Sequence, residues 1–516
     1  MTTEAKTSLP VSLGKLIRGS GARVTNLALA ALSGILLTPY LVRALGPEQY
    51  GMWALAYAVI GYYSLMDLGM SAAVFTHVSF ALGKKDYSDA NRIYGSGLAV
   101  FGSTGLALAL ATVVIFFIIH RMHTLHSTTL SWVLLIVGLV AAMGFPMRVP
   151  FGALNAGSHF DVTSGHLMLA TILRAAGTVI VLYLHYGIIQ LALVNALSSV
   201  IVNTLVVMAV KRKYSFLHVL RPRFERKTAV RLMRFGFPVL FGQLADRIRL
   251  QTDSLTVSFF LGLAVLTHYS IATTLAMYYM DVVTAVIGVL APVLAMQKSV
   301  DDANGVRRSI LAGTRLGISI AGFIAFAIIA WGHAFILRWM GSAYLDAYPV
   351  LVVLSLAIFC DVSQYTSVDA LYATLNQKYY AAINVAEAVA NLTLSVLLAR
   401  RYGMIGIAFG TLLPSVVVRL FIQPFILQQR LGLSVKEYWS VNIPTLARAL
   451  ACLGLPFAVS RYLLGPSYPK IFAVAALSVV LYALPMWYFE FQMKGARETI
   501  FKVRTLLSAR ASAASL

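Results

Sequence analysis

Six arginines, Arg148, Arg174, Arg247, Arg249, Arg315 and Arg419, stand inside long apolar runs. A guanidinium stays charged when water is withdrawn, and its planar fork donates paired hydrogen bonds, which suits a pyrophosphate group. Acids share the same runs: Asp67, Asp246, Asp253, Asp281, Asp361, Asp369 and Glu387. Either the arginines line a cavity for an anion, or the acids neutralise them between helices. Asp246 and Arg249 lie three residues apart, and Arg249 and Asp253 four, so both pairs share a helix face. A further chemistry is ion coupling. Asp246, Asp253 and the i, i+3 pair Asn384 and Glu387 supply oxygens for a Na⁺ or a proton. His120, His123 and His126 recur every third residue without cysteines or acids and read as a solvated turn. No P-loop, G-x-S-x-G or H-E-x-x-H motif is present, so no ATP-driven or hydrolytic chemistry and no cofactor is expected.

The elements that position these residues follow from composition. The chain has 516 residues, 59% hydrophobic and 12% charged, with a mean hydropathy of +0.80. Soluble domains carry roughly 25% charged residues, so this surface is built for lipid. The composition excludes a soluble enzyme, a secreted disulfide scaffold and a disordered regulator. Cys360 and Cys452 both lie in apolar runs, which leaves no disulfide or metal pattern.

A bilayer crossing needs about 20 apolar residues. Fourteen such spans are expected: 24–45, 50–79, 92–119, 129–156, 161–184, 188–210, 235–261, 265–297, 307–337, 346–375, 380–400, 404–428, 442–463 and 468–490. Arg247 then lies about 18 Å into its span and Arg148 about 12 Å from the nearer end of its own. The net charge of +22 would suggest nucleic acid in a soluble protein. Here 27 of the 41 Lys and Arg residues fall on one side of the fourteen spans and 7 on the other. That asymmetry places both termini in the cytoplasm and removes nucleic acid as a partner. Residues 1–23 form an amphipathic cytoplasmic start, 211–234 a basic cytoplasmic linker and 491–516 a basic tail.

The chain also resembles itself. Ser88–Asn91 recurs as Asp301–Asn304, Leu154-Asn155 as Leu375-Asn376, and Tyr186–Ala192 as Tyr402–Ala408. The offsets cluster near six spans. Six is even, so the two halves share an orientation and are related by an axis along the membrane normal. The expected fold is an all-α polytopic membrane protein. It has lobe 1 over 24–210, lobe 2 over 235–428 and an appended helix pair over 442–490.

The string Leu41-Val42-Arg43-Ala44-Leu45-Gly46-Pro47-Glu48-Gln49-Tyr50-Gly51, followed by Asp67-Leu68-Gly69, resembles the start of polysaccharide transporters. These are Wzx-type flippases of lipid-linked oligosaccharides in the MOP superfamily, which also holds MATE exporters. Gly83-Lys84-Lys85-Asp86, and Asp253 followed by Gly262 and Tyr269, are similar to that family too. The resemblance spans the chain. It implies a non-enzymatic flippase in a bacterial inner membrane, with a central cavity that takes an undecaprenyl-pyrophosphate-linked oligosaccharide to the periplasmic leaflet. It implies membrane lipids, a polysaccharide polymerase and a chain-length regulator as partners. A MATE-like exporter of small cations and a membrane enzyme of polysaccharide assembly are the alternatives.

Overall fold

The computed structural model describes residues 13–121, 127–217, 224–299, 301–374, 376–463 and 467–491. Every regular element among them is helical: α1 Leu13–Gly61, α2 Met70–Gly83, α3 Tyr87–His120, α4 Ser127–Ala156, α5 Phe160–Tyr183, α6 Ile188–Lys213, α7 Arg226–Leu261, α8 Leu263–Ile287, α9 Ala291–Ser299, α10 Ala303–Trp339, α11 Ala347–Ser363, α12 Tyr365–Ala373, α13 Gln377–Val416, α14 Gln423–Leu431, α15 Val435–Cys452, α16 Gly454–Leu463 and α17 Tyr468–Phe491. Eleven helical stretches among these residues are long and apolar enough to cross a membrane. Two are far longer than one crossing. Thr25–Asp67 has 43 residues and Lys378–Leu431 has 54, whereas a 30 Å core takes about 20. Each is interrupted by a glycine in non-helical conformation, Gly46 (φ 76°, ψ 166°) and Gly403 (φ 61°, ψ −140°).

Large apolar side chains face outward on many helices. Leu106, Leu110, Val114 and Phe117 on α3, and Phe472, Leu484 and Trp487 on α17, are more than half exposed. Contiguous apolar surface of this kind belongs against lipid. The chain is a multi-pass membrane protein.

Two compact units divide within α7, at Leu255 and Thr256, downstream of the basic linker 211–234. In the first, α2, α3, α4 and α6 enclose a core around Val74, Ile93, Tyr94, Phe101, Val149 and Val206. Close approach of α3 and α4 depends on Gly105, whose missing Cβ would stand 2.7 Å from the Ala142 carbonyl oxygen. The start of α7 is tied to α3 in the same unit. Ser96 Oγ donates to the Glu225 carbonyl (3.2 Å) and accepts the Glu225 N–H (3.0 Å). In the second unit, one core joins α9, α10, α12, α13, α14 and α15 around Leu294, Ile310, Leu371 and Tyr438. Another joins α8, α10 and α11 around Tyr279, Val283 and Ala321. Both cysteines are buried free thiols.

The same backbone instructions occur in each unit. Gly46 and Gly262 (φ 92°, ψ 172°) share a left-handed extended conformation that L-residues avoid, 216 positions apart. Lys85 (φ 56°) and Asp301 (φ 50°) are left-handed at the same spacing. Each precedes an aspartate cap: Asp86 accepts the Asp89 N–H at 2.9 Å, and Asp302 accepts the Gly305 N–H at 2.8 Å. The structural register therefore matches Asp86 with Asp302. This differs from the sequence match of Ser88 with Asp301, which aligned similar letters but not the caps.

Candidate functional site

Among the described residues, three arrangements hold charged side chains at membrane depth, and further charged side chains stand outside them. The first is in the opening unit. After α1 the chain makes a 3-10 turn over Tyr62–Asp67, then passes through two left-handed residues, Leu68 (φ 50°) and Gly69 (φ 69°), before α2 begins. The sequence predicts one unbroken span over 50–79, and the break lies inside it. Asp67 sits at this break. Its Oδ1 accepts the Ser71 N–H (2.9 Å), and its Oδ2 accepts the Ser71 hydroxyl (2.8 Å) and the Arg148 Nη1. Arg148 lies on α4 between Pro146 and Pro150 and stacks over the Phe145 ring at 4.3 Å. Two tyrosines brace the turn: the Tyr62 hydroxyl meets Thr252 Oγ1 at 2.9 Å and the Tyr63 hydroxyl meets Thr112 Oγ1 at 2.7 Å.

The second arrangement is in the other unit. Arg419 is fully buried on a π-helical turn over Val417–Ile422, a wide turn that often marks functional positions. Its Nε donates to Asp361 Oδ1 (2.6 Å), its Nη2 to Asn384 Oδ1 (3.0 Å) and its Nη1 to Gln423 Oε1 (3.2 Å). The same Nη2 is 2.9 Å from Glu387 Oε2, and Glu387 Oε1 accepts the Ser415 hydroxyl at 2.9 Å. Gln423 Nε2 continues to the Gln364 carbonyl at 3.4 Å, and the buried Tyr438 hydroxyl donates to Gln364 Oε1. Gln364 lies at the junction of α11 and α12, within a predicted single span over 346–375.

The third arrangement is a cleft of about 400 Å³ between α1 and α5, lined by Asn26, Ser33, Thr38, Thr171, Arg174 and Thr178 among leucines, alanines and a glycine. Arg174 lies about 21 Å from the start of α5 at 1.5 Å per residue. Its Nε donates to the Ala170 carbonyl at 3.2 Å. Among the described residues no carboxylate lies within ion-pair distance of it.

The sequence-derived candidates thus distribute unevenly. Arg148 and Arg419 are held by carboxylates. Asn384 and Glu387, the expected Na⁺ or proton ligands, surround the Arg419 guanidinium. Arg315 on α10 sends its Nε to the Leu311 carbonyl at 3.4 Å. Asp253 is buried on α7. Asp246, Arg247 and Arg249 lie on α7 at positions whose side chains fall outside the described residues. Among the described residues no three of His, Cys, Asp and Glu converge as for a metal ion. Sequence reasoning missed the roles of Gln364, Gln423 and Tyr438, and the cleft wall on α1. Polar residues at buried positions were the available signal, but such residues recur throughout the apolar runs.

Residues 40–349 match the family described as Polysaccharide biosynthesis protein. The chain is 24% identical over 321 residues to the succinoglycan biosynthesis transport protein ExoT of Rhizobium meliloti (strain 1021), covering 62% of this chain and 61% of that one. Its fold is similar to that of the lipid II flippase MurJ in an inward closed conformation, with a TM-score of 0.70 and 14% identity over 92% of this chain and 99% of the other. It is also similar to an inward-facing multidrug resistance MATE family transporter of the MOP superfamily, with a TM-score of 0.66 and 13% identity over 78% and 97% of the two chains.

Proposed function

This chain belongs to the polysaccharide biosynthesis protein family, and from that membership we propose that it is a flippase for a lipid-linked oligosaccharide. The cargo is an undecaprenyl-pyrophosphate-linked repeat unit, moved from the cytoplasmic to the periplasmic leaflet of a bacterial inner membrane. The observation that carries this reading is Arg174: a cation deep in α5, facing a cleft of mixed polar and apolar lining, with no carboxylate neighbour among the described residues. An intramembrane arginine is costly unless it faces a partner or an aqueous cavity. A guanidinium in such a cleft serves an anionic headgroup whose lipid tail never leaves the bilayer. The relatives' names, a transport protein and a flippase, support transport over catalysis.

Fourteen crossings follow if each glycine-interrupted stretch counts as two and α7 as one. Both termini are then cytoplasmic. The torsions and caps that recur at a spacing of 216 support two six-helix lobes related along the membrane normal, with α15–α17 appended. Alternating access by such lobes exposes the arginines to one side, then the other. An inside-negative potential drives anions outward, at roughly 2.3 kcal/mol per elementary charge per 100 mV. A coupling Na⁺ or H⁺ in the neighbourhood of Asp246, Asn384 and Glu387 would add to that drive. A polymerase and a chain-length regulator would receive the product.

The test is translocation of a labelled isoprenyl-pyrophosphate-linked oligosaccharide in proteoliposomes. Arg174→Ala lowers the initial rate at least tenfold. Undiminished translocation in that variant, together with export of a cationic drug by the wild type, would replace this reading with a MATE-like exporter.

A further inference from the structure

We infer that Asp67 is a tethered counter-anion that the cargo's anionic headgroup displaces from Arg148, so that Asp67 sets the rate of cargo release. The inference rests on the flippase reading above and concerns how one of its arginines lets go.

The argument begins with an asymmetry within the pair. The Asp67 side chain is 9% accessible and that of Arg148 is 28% accessible. The carboxylate sits at the break between α1 and α2 and is nearly closed off, whereas more than a quarter of the Arg148 side chain is accessible. Arg148 is deep, about 12 Å from the end of α4 at 1.5 Å per residue. A charged arginine at such depth is turned to the protein interior or to an aqueous cavity rather than to lipid. A guanidinium has five N–H donors, and Asp67 engages only one nitrogen, Nη1. Phe145 lies against one face of the guanidinium plane, and Nε and Nη2 carry no carboxylate among the described residues, which leaves donors for a second anion.

Asp67 is also built to survive the exchange. Its two hydrogen bonds to Ser71 are local to the start of α2 and do not involve Arg148. When a pyrophosphate takes the guanidinium, the carboxylate keeps both bonds. It then remains poised beside the arginine as an intramolecular competitor, and an anchored competitor acts at high effective concentration. An arginine without such a rival would hold a polyanion well and release it slowly. The left-handed Leu68 and Gly69 fix the carboxylate in that position, because they turn the chain so that Asp67 reaches back over the first turn of α2.

The experiment uses the full chain in nanodiscs, with farnesyl pyrophosphate as the binding probe and labelled lipid-linked oligosaccharide for turnover. Asp67→Asn and Asp67→Ser remove the charge, and serine retains the ability to cap Ser71. Both are expected to bind the probe about tenfold tighter than wild type while translocating more slowly. Asp67→Glu keeps a competing carboxylate and behaves closer to wild type. In an Arg148→Ala background the Asp67 substitutions lose their effect on binding. Unchanged or weaker probe binding in folded Asp67→Ser, with wild type binding normally, overturns the role of Asp67 alone. Absence of probe binding by wild type overturns the flippase reading beneath it.

Discussion

Arg419 Nε lies 2.6 Å from Asp361 Oδ1, and the same guanidinium reaches Glu387 at 2.9 Å, so one buried cation serves carboxylates from two other helices. The three residues come from α11, α13 and the π-helical turn before α14. Breaking a buried pair on one side strands the other charge. Arg419→Ala therefore costs about 3–5 kcal/mol of stability, read as a large drop in melting temperature in detergent. Arg419→Lys retains the charge but not the fork and falls between the two. A melting temperature unchanged by Arg419→Ala would show that the cluster holds nothing together.

Gly46 and Gly262 make a paired prediction. Their torsions belong to a region open almost only to glycine, so Gly46→Ala and Gly262→Ala each cost about 1–3 kcal/mol. Space is not the cause, because nothing lies within 4 Å of either added Cβ. Gly83→Ala, on a helical residue with equally open surroundings, is the control and melts within a degree or two of wild type.

Gly105→Ala acts by contact instead. The new methyl meets the Ala142 carbonyl at 2.7 Å and Pro146 Cδ at 3.3 Å, which forces α3 from α4 and costs about 1–3 kcal/mol. Because α4 carries Arg148, translocation falls along with stability. Gly102→Ala, on the same helix with open space around it, leaves both intact.

Tyr214, just beyond α6, gives a pH dependence. Burial pushes its hydroxyl up to about 12, and the hydroxyl donates to the Ala153 carbonyl at 3.3 Å. An unfolded tyrosine releases its proton near pH 10. The folded state holds that proton more tightly, so its stabilising contribution is complete below about pH 10 and drains away as pH rises to about 12. Tyr214→Phe lowers stability by about 1 kcal/mol at neutral pH. It also flattens the alkaline loss in melting temperature between those two values. An unchanged alkaline slope in Tyr214→Phe would remove Tyr214 from the titration.

The helical, lipid-facing character of the chain was legible because apolar length is a local property, written in runs such as 92–119. Chain breaks at glycine were also legible: Gly46 with Pro47 announces a turn before any contact is known. The interruption at Leu68–Gly69 was not, because a single aspartate and glycine do little to the mean hydropathy of a thirty-residue run. The partners of Arg419 were hidden for another reason. Asp361 and Arg419 are 58 positions apart, on helices whose mutual rotation comes from packing. Helical periodicity identifies the face a residue occupies but not the helix that face will meet. Within one helix it proposed Arg249 with Asp253, a pair whose arginine falls outside the described side chains, whereas the carboxylates on Arg148 and Arg419 come from other elements of the chain.

The glycine torsions recurring 216 residues apart have a consequence for the chain's history. A lipid-facing leucine exchanges freely for isoleucine, valine or phenylalanine, since the bilayer distinguishes them little. A glycine in a left-handed extended conformation has no substitute. If both halves descend from one duplicated unit, mutation erases the resemblance along the helices first and at the corners last. Kinship between the halves then persists as a record of bends, long after their letters have diverged.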